Sequence, residues 1–333
     1  MSKIHAVIKG IGGYVPNYRL TNDEISATVD TSDEWILKRI GIKERRILKP
    51  EEGSGVSYLA IKAIEDLKKK HDFDPLEIEA VIFGTSTPDY ILPNAAALTA
   101  AKTGMTNAFC FDIEAACSGF IYALEIAENF IISGKYKKII VIAGDTLSKL
   151  TDYTDRNTCP IFGDGCGCAL LEATTEDVGI IDSIMQSDGS SPEYLHVYGG
   201  GSANPTTHET VDKGLHYIWQ DGRVVFKQAI SKMVDVCNEI IKRNHLSPDT
   251  IDWVIPHQAN LRIIESVINW LNVPHEKVMI NIEKYGNTSA ATIPLCLWEW
   301  EPKLRKGDNV ILSAFGAGFT WGATYLKWGY DPQ

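Results

Sequence analysis

Cys117 stands in Glu114-Ala-Ala-Cys-Ser-Gly-Phe120, where small residues on both sides let the backbone turn sharply and let a ligand approach. An apolar pattern of helical period follows (Phe120, Ala123, Leu124, Ala127), so the thiol is expected at a helix N-terminus. Unpaired N–H groups and the positive end of the helix dipole lower a thiol's pKa there, which makes a nucleophile. His257, in Val254-Ile-Pro-His-Gln-Ala-Asn260, follows directly after a buried apolar run, at the strand end where α/β proteins place their sites. Asn287, in Tyr285-Gly-Asn-Thr-Ser-Ala290, supplies an uncharged hydrogen-bond donor. Each residue alone has a bland explanation: a free Cys is usually core, a post-strand His is usually structural, and an Asn after Gly is usually a turn. What changes the odds is where the three fall in a repeated sequence.

Tyr58 to Lys70, Pro75 and the apolar run Ile78 to Phe83 echo Ile230 to Arg243, Pro248 and Ile251 to Ile255; both the prolines and the strand starts are offset by 173 (248 − 75, 251 − 78). Lys138 to Gly144 echoes the run that begins at Asn309, at an offset of 171 (309 − 138). Each half reads as helix, buried strand, loop, helix, buried strand, which predicts a duplicated α/β core, residues 1–175 carrying the Cys and residues 176–333 carrying the His and Asn. Phe111 to Ala116 leads into Cys117 as Val278 to Tyr285 leads into Asn287, an offset of 170 (287 − 117), so Cys and Asn occupy equivalent corners.

The rest of the 333 residues narrows the class. A 44% hydrophobic, 23% charged chain can bury a large core, and a net charge of −11 repels phosphate backbones and anionic lipid, so neither nucleic acid nor a membrane is an expected partner. No apolar run approaches the roughly 20 residues of a membrane helix, and no signal-peptide pattern opens the chain, so a cytoplasmic protein is expected. Seven cysteines, an odd number at low density, read as free thiols. Cys166 and Cys168 lack the further ligands a metal needs and read as core residues of a strand; no metal is expected. Gly199 to Gly201 lacks the Lys-Ser/Thr of a phosphate loop and reads as a loop.

The segments Asp30-Thr-Ser-Asp-Glu-Trp35, Ala115-Ala-Cys-Ser-Gly-Phe120, Asp155-Arg156, Phe162-Gly-Asp-Gly165, His257-Gln-Ala-Asn-Leu-Arg262, Gly286-Asn-Thr-Ser-Ala-Ala291 and Phe315-Gly-Ala-Gly-Phe-Thr-Trp-Gly322 resemble those of β-ketoacyl-acyl carrier protein synthase III, the initiating condensing enzyme of type II fatty acid synthesis, from about Ile8 to Lys327. The resemblance implies a thiolase-like fold of layered αβαβα type with mixed sheets, a homodimer, and condensation of an acyl-CoA primer with malonyl-acyl carrier protein, with no cofactor beyond the CoA thioester as substrate. It implies Cys117 as the acylated nucleophile, the Cys117 and Ala317 amides as an oxyanion hole, and His257 and Asn287 as donors to the enolate left by CO2 loss. It also places CoA adenine between Trp35 and Arg156, CoA phosphates at Arg39, the carrier protein at Arg262, and the acyl chain against Leu92, in Thr87-Pro-Asp-Tyr-Ile-Leu-Pro-Asn94, with Phe226 as another pocket wall. Asn269 and Trp270 stand where some relatives carry lysines, and Glu265 adds an opposing charge. Lys38, Arg39, Lys43, Arg45, Arg46 and Lys49 read as a basic patch or a solvated face.

Three rivals share some of these features. A papain-like protease also orders Cys, His and Asn along the chain with the His about 130–150 residues downstream, and here 257 − 117 is 140; the duplicated α/β pattern argues against it. An acyltransferase of secondary metabolism is the alternative within the same superfamily. A catalytically dead partner normally lacks the nucleophile that Cys117 supplies.

Overall fold

In the computed structural model, which describes residues 4–332, two sheets alternate with three helical layers. The first sheet holds β1 (His5–Tyr14), β2 (Ala80–Gly84), β3 (Phe109–Ile113), β4 (Lys138–Thr146) and β5 (Asp164–Thr174), in the order β1-β5-β4-β2-β3. The second holds β6 (Gly179–Ser187), β7 (Trp253–Pro256), β8 (Asn309–Gly316) and β9 (Thr320–Lys327), in the order β7-β8-β9-β6. Both sheets are mixed. β2 runs parallel to β3 and β4, as β7 does to β8, while β5 and β9 pair antiparallel with their neighbours.

The repeat seen in the sequence is the repeat of the fold. β2 and β4 correspond to β7 and β8, at the offsets that the apolar runs give. One corner differs: where β3 would have its counterpart, Val278 forms a single parallel bridge to Val254, because a 3-10 turn precedes it (His275–Lys277) and a short helix follows (Ile282–Tyr285).

Helices fill the layers according to their apolar faces. α1 (Val56–Lys70) and α2 (Ala95–Thr103) cover one face of the first sheet, and α1 buries Leu59, Ala60, Ala63, Ile64 and Leu67 at helical spacing. Between the sheets lie α3 (Gly119–Ile132) and, after α4 (Gly222–Arg243) and α5 (Leu261–Leu271) on the outer face of the second sheet, α6 (Thr292–Trp300). Period-2 alternation decides which layer each strand residue joins: Ala80 and Ile82 point to the middle, Val81 and Phe83 to α1 and α2. Cys166 and Cys168 are fully buried on the α1 face of β5, as core residues.

One member of the basic cluster is no surface cation. Arg45 is fully buried and donates to Asn22 Oδ1 (2.9 Å), Leu20 O (3.1 Å) and Pro160 O (2.7 Å), tying the N-terminal loops to the segment before Phe162. Burial pulls its pKa down to about 10, which leaves it charged at neutral pH. The expectation of a purely solvated or patch-forming cluster is corrected at this position.

Candidate active site

The corners at Cys117 and Asn287 meet where the middle layer begins. Ala116, at φ 45°, forces the sharp turn before Cys117, and its amide donates to Glu114 Oε1 (3.0 Å). Ser118 Oγ donates to Thr320 O (2.9 Å) and Thr320 Oγ1 donates to Ala115 O (2.7 Å), so both sides of Cys117 are pinned to β9. Asn287 sits on the opposite corner, its amide bonded to Ile161 O (2.9 Å) and its carbonyl to the Gly163 amide (3.0 Å). The Asn287 side-chain Oδ1 accepts from the Ser289 amide (2.8 Å), which commits the oxygen and leaves Nδ2 as the donor.

His257, at the end of β7, is 2% exposed, and its amide donates to Ser313 O (2.7 Å). The ring Nδ1 lies 2.7 Å from Thr292 Oγ1, so Nε2 is the nitrogen left for a substrate. The Thr292 hydroxyl has one proton and two acceptors in reach, Nδ1 and Ser289 O (3.1 Å); when it donates to Nδ1, the imidazole carries its proton on Nε2.

Burial sets the protonation states. It pulls the His257 pKa down to about 3, so the ring is neutral through the physiological range. It pushes the Cys117 thiol up to about 12, with the charges of Asp145 and Glu114 adding to the rise. This corrects the expectation of a thiolate held by a helix N-terminus. Cys117 lies in a 3-10 turn (Ala116–Ser118) just before α3, where desolvation is the largest influence on the thiol and both carboxylates add to it; the resting form is a thiol. A neutral His257 gives a first prediction: decarboxylation on a preformed acyl-enzyme is flat from pH 5.5 to 8. The sign follows from the depressed pKa, since protonation sets in only as pH falls toward 3. Measured CO2 release with a break near pH 6.5 would mean a solvated imidazole.

A cavity of about 1830 Å³ joins these groups, with Cys117, His257, Asn287 and Ala317 on its inner wall and Trp35, Arg39, Phe226 and Arg262 also on its lining. Leu147, Phe162, Ile218 and Leu195 form a small apolar cluster on the same cavity. Among the described residues no cluster suited to a metal ion occurs.

Models of the two parts of 3-oxoacyl-[acyl-carrier-protein] synthase III match residues 111–189 and, for its C-terminal part, 241–328. The β-ketoacyl-[acyl-carrier-protein] synthase III of Azobacteroides pseudotrichonymphae is 72% identical over the whole of both chains. The chain belongs to the β-ketoacyl-[acyl-carrier-protein] synthase III family. The Porphyromonas gingivalis synthase III is 55% identical, over 99% of this chain and 98% of its own. The crystal structure of the Aquifex aeolicus synthase III superposes with a TM-score of 0.89 at 41% identity, covering 97% of this chain and all of that one. This is a thiolase-like α/β fold, and the protein is an acyltransferase of the condensing type; a papain-like protease is excluded. The priming β-ketosynthase of the R1128 polyketide pathway also superposes at 0.89, with 29% identity over 98% of this chain and 97% of its own, and the higher identities to synthase III enzymes disfavour the secondary-metabolism alternative.

Residues named from the synthase III resemblance are placed unevenly. Arg156 lies directly over the Trp35 ring, 5.3 Å from its centroid, and contacts Asp30 at 3.4 Å, so a ring entering between them must displace the guanidinium. Arg262 opens α5, its guanidinium 5.3 Å from the Phe226 ring centroid. Leu92 is 84% exposed on a surface loop and does not line this chain's cavity, whereas its neighbour Ile91 does. Sequence reasoning missed Thr292, Ser289 and Asp145. The signal for Asp145 was legible, a single carboxylate closing the apolar strand Ile139–Ala143; the two hydroxyls offered none beyond their place after Asn287.

Proposed function

We propose that the protein condenses an acyl-CoA primer with malonyl-acyl carrier protein, releasing CoA and CO2 and giving 3-oxoacyl-acyl carrier protein, the opening step of fatty acid synthesis. The observation that carries this is one cavity onto which a partly exposed Cys thiol, a neutral His and an Asn committed as donor all open, in a chain of this family. Cys117 Sγ bonds to the primer carbonyl carbon, the bond to the CoA sulfur breaks, and the thiol proton ends on CoA. The Cys117 and Ala317 amides face the oxyanion. His257 Nε2–H, with Thr292 donating to Nδ1, and Asn287 Nδ2 then hold the malonyl thioester oxygen as CO2 leaves. The enolate carbon attacks the acyl carbon and returns Cys117. Intact-protein mass after incubation with single acyl-CoAs tests the reading: a mass gain lost in Cys117→Ala supports it, and no gain with any acyl-CoA overturns it.

Residues 1–175 and 176–333 serve as the two halves of this machinery, in a cytoplasmic enzyme; no helix among the described residues is long and apolar enough to cross a membrane. Edge strand β3 supports a homodimer: Phe109 is 38% exposed there and clusters with Phe111, Phe130 and Tyr136, a surface suited to a second copy. Trp35 and Arg156 would hold the adenine and Arg39 the CoA phosphates. Carrier docking is read at Arg262, beside the cavity mouth. Arg262→Glu is expected to raise KM for malonyl-carrier more than it lowers kcat and to flatten the salt dependence; unchanged salt-sensitive turnover would remove Arg262 from the interface.

Primer choice follows from Leu92. Its exposure in a single chain fits a loop that reaches a partner's acyl pocket, where acetyl-selective relatives carry Phe. The smaller Leu admits a short branched primer, with Phe226 as a further wall, and one or two methylenes are worth about 1–3 kcal/mol, so acetyl-CoA is used as well. Leu92→Phe should lower the ratio of kcat/KM for isobutyryl-CoA over acetyl-CoA. An unchanged ratio would mean that Leu92 does not line the pocket.

A further inference from the structure

We propose that Gln258 is a positioning residue for the condensation step: its buried side-chain amide fixes the strand end that carries His257 against the turn that leads to Asn287, so that the two donors converge on one thioester oxygen. This rests on the reading of His257 and Asn287 as donors to the enolate and of Cys117 as the acylated nucleophile.

Gln258 is fully buried, and both ends of its amide are occupied. Nε2 donates to Pro256 O (2.6 Å) and Met279 O (3.3 Å), while Oε1 accepts from the amides of Asn281 (3.0 Å) and Ile282 (3.3 Å). Two carbonyls on one side and two N–H groups on the other leave a single orientation for the amide. A missing strand explains the need for it. In the first half β2 pairs with β3 from Ala80–Phe109 to Gly84–Ile113, and the Thr85 amide prolongs the ladder to Ile113 O (3.1 Å). Gln258 stands at an offset of 173 from Thr85 (258 − 85), the offset of the strand starts. There the returning chain makes the Val254–Val278 bridge and a bond from the Met279 amide to Val254 O (3.0 Å), and then turns into a helix. Met279, Asn281 and Ile282 are buried, so their remaining backbone groups need partners inside the protein. The Gln258 amide supplies them in place of a ladder, with the Cys296 thiol also on Met279 O (3.8 Å).

What the amide grips leads to both donors. Gln258 follows His257 directly in the chain. The helix it holds, Ile282–Tyr285, is about one turn long and gets no cap from its own Asn281 side chain; it ends at Gly286, whose amide returns to Ile282 O (2.9 Å), and Asn287 comes next. A second link joins the same donors through side chains: His257 Nδ1 with Thr292 Oγ1 (2.7 Å), Thr292 Oγ1 to Ser289 O (3.1 Å), and the Ser289 amide to Asn287 Oδ1 (2.8 Å). The two links close a ring of bonds in which His257 and Asn287 are each held from both sides. The Asn287 backbone is also tied to Ile161 and Gly163, which places that corner against the first half but not against His257. Cys117 stands outside the ring, on a turn held by Ser118, Thr320 and Glu114. A displacement of about 1 Å in a catalytic group can cost about 10²-fold. Opening the ring at Gln258 therefore slows the step that needs both donors and spares the step that needs the sulfur.

The test uses the full-length enzyme with Gln258→Met and Gln258→Glu. Met fills a similar volume and makes none of the four bonds; Glu keeps an oxygen for the two amides and sets its other oxygen against the Pro256 and Met279 carbonyls. Acylation of Cys117 by acetyl-CoA is read by intact mass, and CO2 release from malonyl-acyl carrier protein is read on the preformed acetyl-enzyme. Acylation is expected to stay within about threefold of wild type, while kcat for CO2 release falls by about 10- to 100-fold with KM for malonyl-carrier within about threefold. In an Asn287→Ala background, adding Gln258→Met should cost less than about threefold more, because no second donor is left to align. Wild-type CO2 release in both variants would overturn the proposal. So would acylation that falls in step with CO2 release in both, which makes Gln258 a brace of the whole fold, and so would effects that multiply in the double variant. Full-rate condensation by Asn287→Ala alone, or no acylation of the unsubstituted enzyme, is a different result and removes the reading of the site on which the proposal rests.

Discussion

Asn287→Ala is expected to take up an acyl group at the wild-type rate and then to stall, with condensation reduced by about 10²- to 10³-fold. The asymmetry comes from the separate hydrogen bonds that hold the two residues. The Asn287 side chain is held by the Ser289 amide through Oδ1 and presents Nδ2 to the cavity, while the turn that carries Cys117 is pinned separately, by Ser118 and Thr320. Removing one donor leaves the nucleophile in place. Cys117→Ala, by contrast, abolishes acylation, because no other cysteine is both in the cavity and at the turn. Intact mass gives the first half-reaction and formation of 3-oxoacyl product gives the second. Full-rate condensation by the Asn287→Ala enzyme would show that the enolate is stabilised elsewhere.

Gly316→Ala should be as damaging although Gly316 has no side chain to contribute. A Cβ there would stand 2.6 Å from the Cys117 amide nitrogen, 3.1 Å from Ala116 Cβ and 3.2 Å from Thr320 Oγ1. The nearest atom is backbone, so the clash is relieved only by moving the nucleophile's own amide or the Ala317 amide that follows. Both are the donors read as the oxyanion hole. Acylation is expected to fall by about 10²-fold or more, as when one such donor is lost, with about 1–3 kcal/mol of stability lost to overpacking. Single-turnover acylation and a denaturant titration separate the two effects. Acylation within threefold of wild type would mean that the Gly316–Cys117 approach is not tight in solution.

Much of this architecture was legible because duplication repeats signals that are weak alone. One apolar run after a proline says little, but two at the same offset as a pair of helices define β2 with β7 and α1 with α4. The Cys, His and Asn were legible for the same reason, falling at strand ends and matching corners. What could not be read was what burial does. Cys117 sits where a dipole would favour a thiolate, yet desolvation and two carboxylates hold it as a thiol, and Asp145 lies 28 residues away in the chain (145 − 117). Arg45 stood in a run of cations that charge alone assigns to the surface, and only the fold brings Asn22 and Pro160 around it. The Thr292–His257 pair likewise spans 35 residues and joins α6 to the end of β7.

The middle layer has a further consequence. α3 and α6 are apolar toward both sheets, and their cluster takes side chains from β1, β2, β4 and β5 on one side and from β6, β7, β8 and β9 on the other. Neither half owns that layer. Separating the halves would strip one face from each sheet and expose helices with little polar surface of their own, so the duplicated chain has lost the independence its ancestry suggests. Opening either half costs the other its packing, and the two melt together as one cooperative unit. Because Cys117 lies in the turn that leads into α3 and Asn287 precedes α6, the residues read as nucleophile and enolate donor are dismantled in the same event.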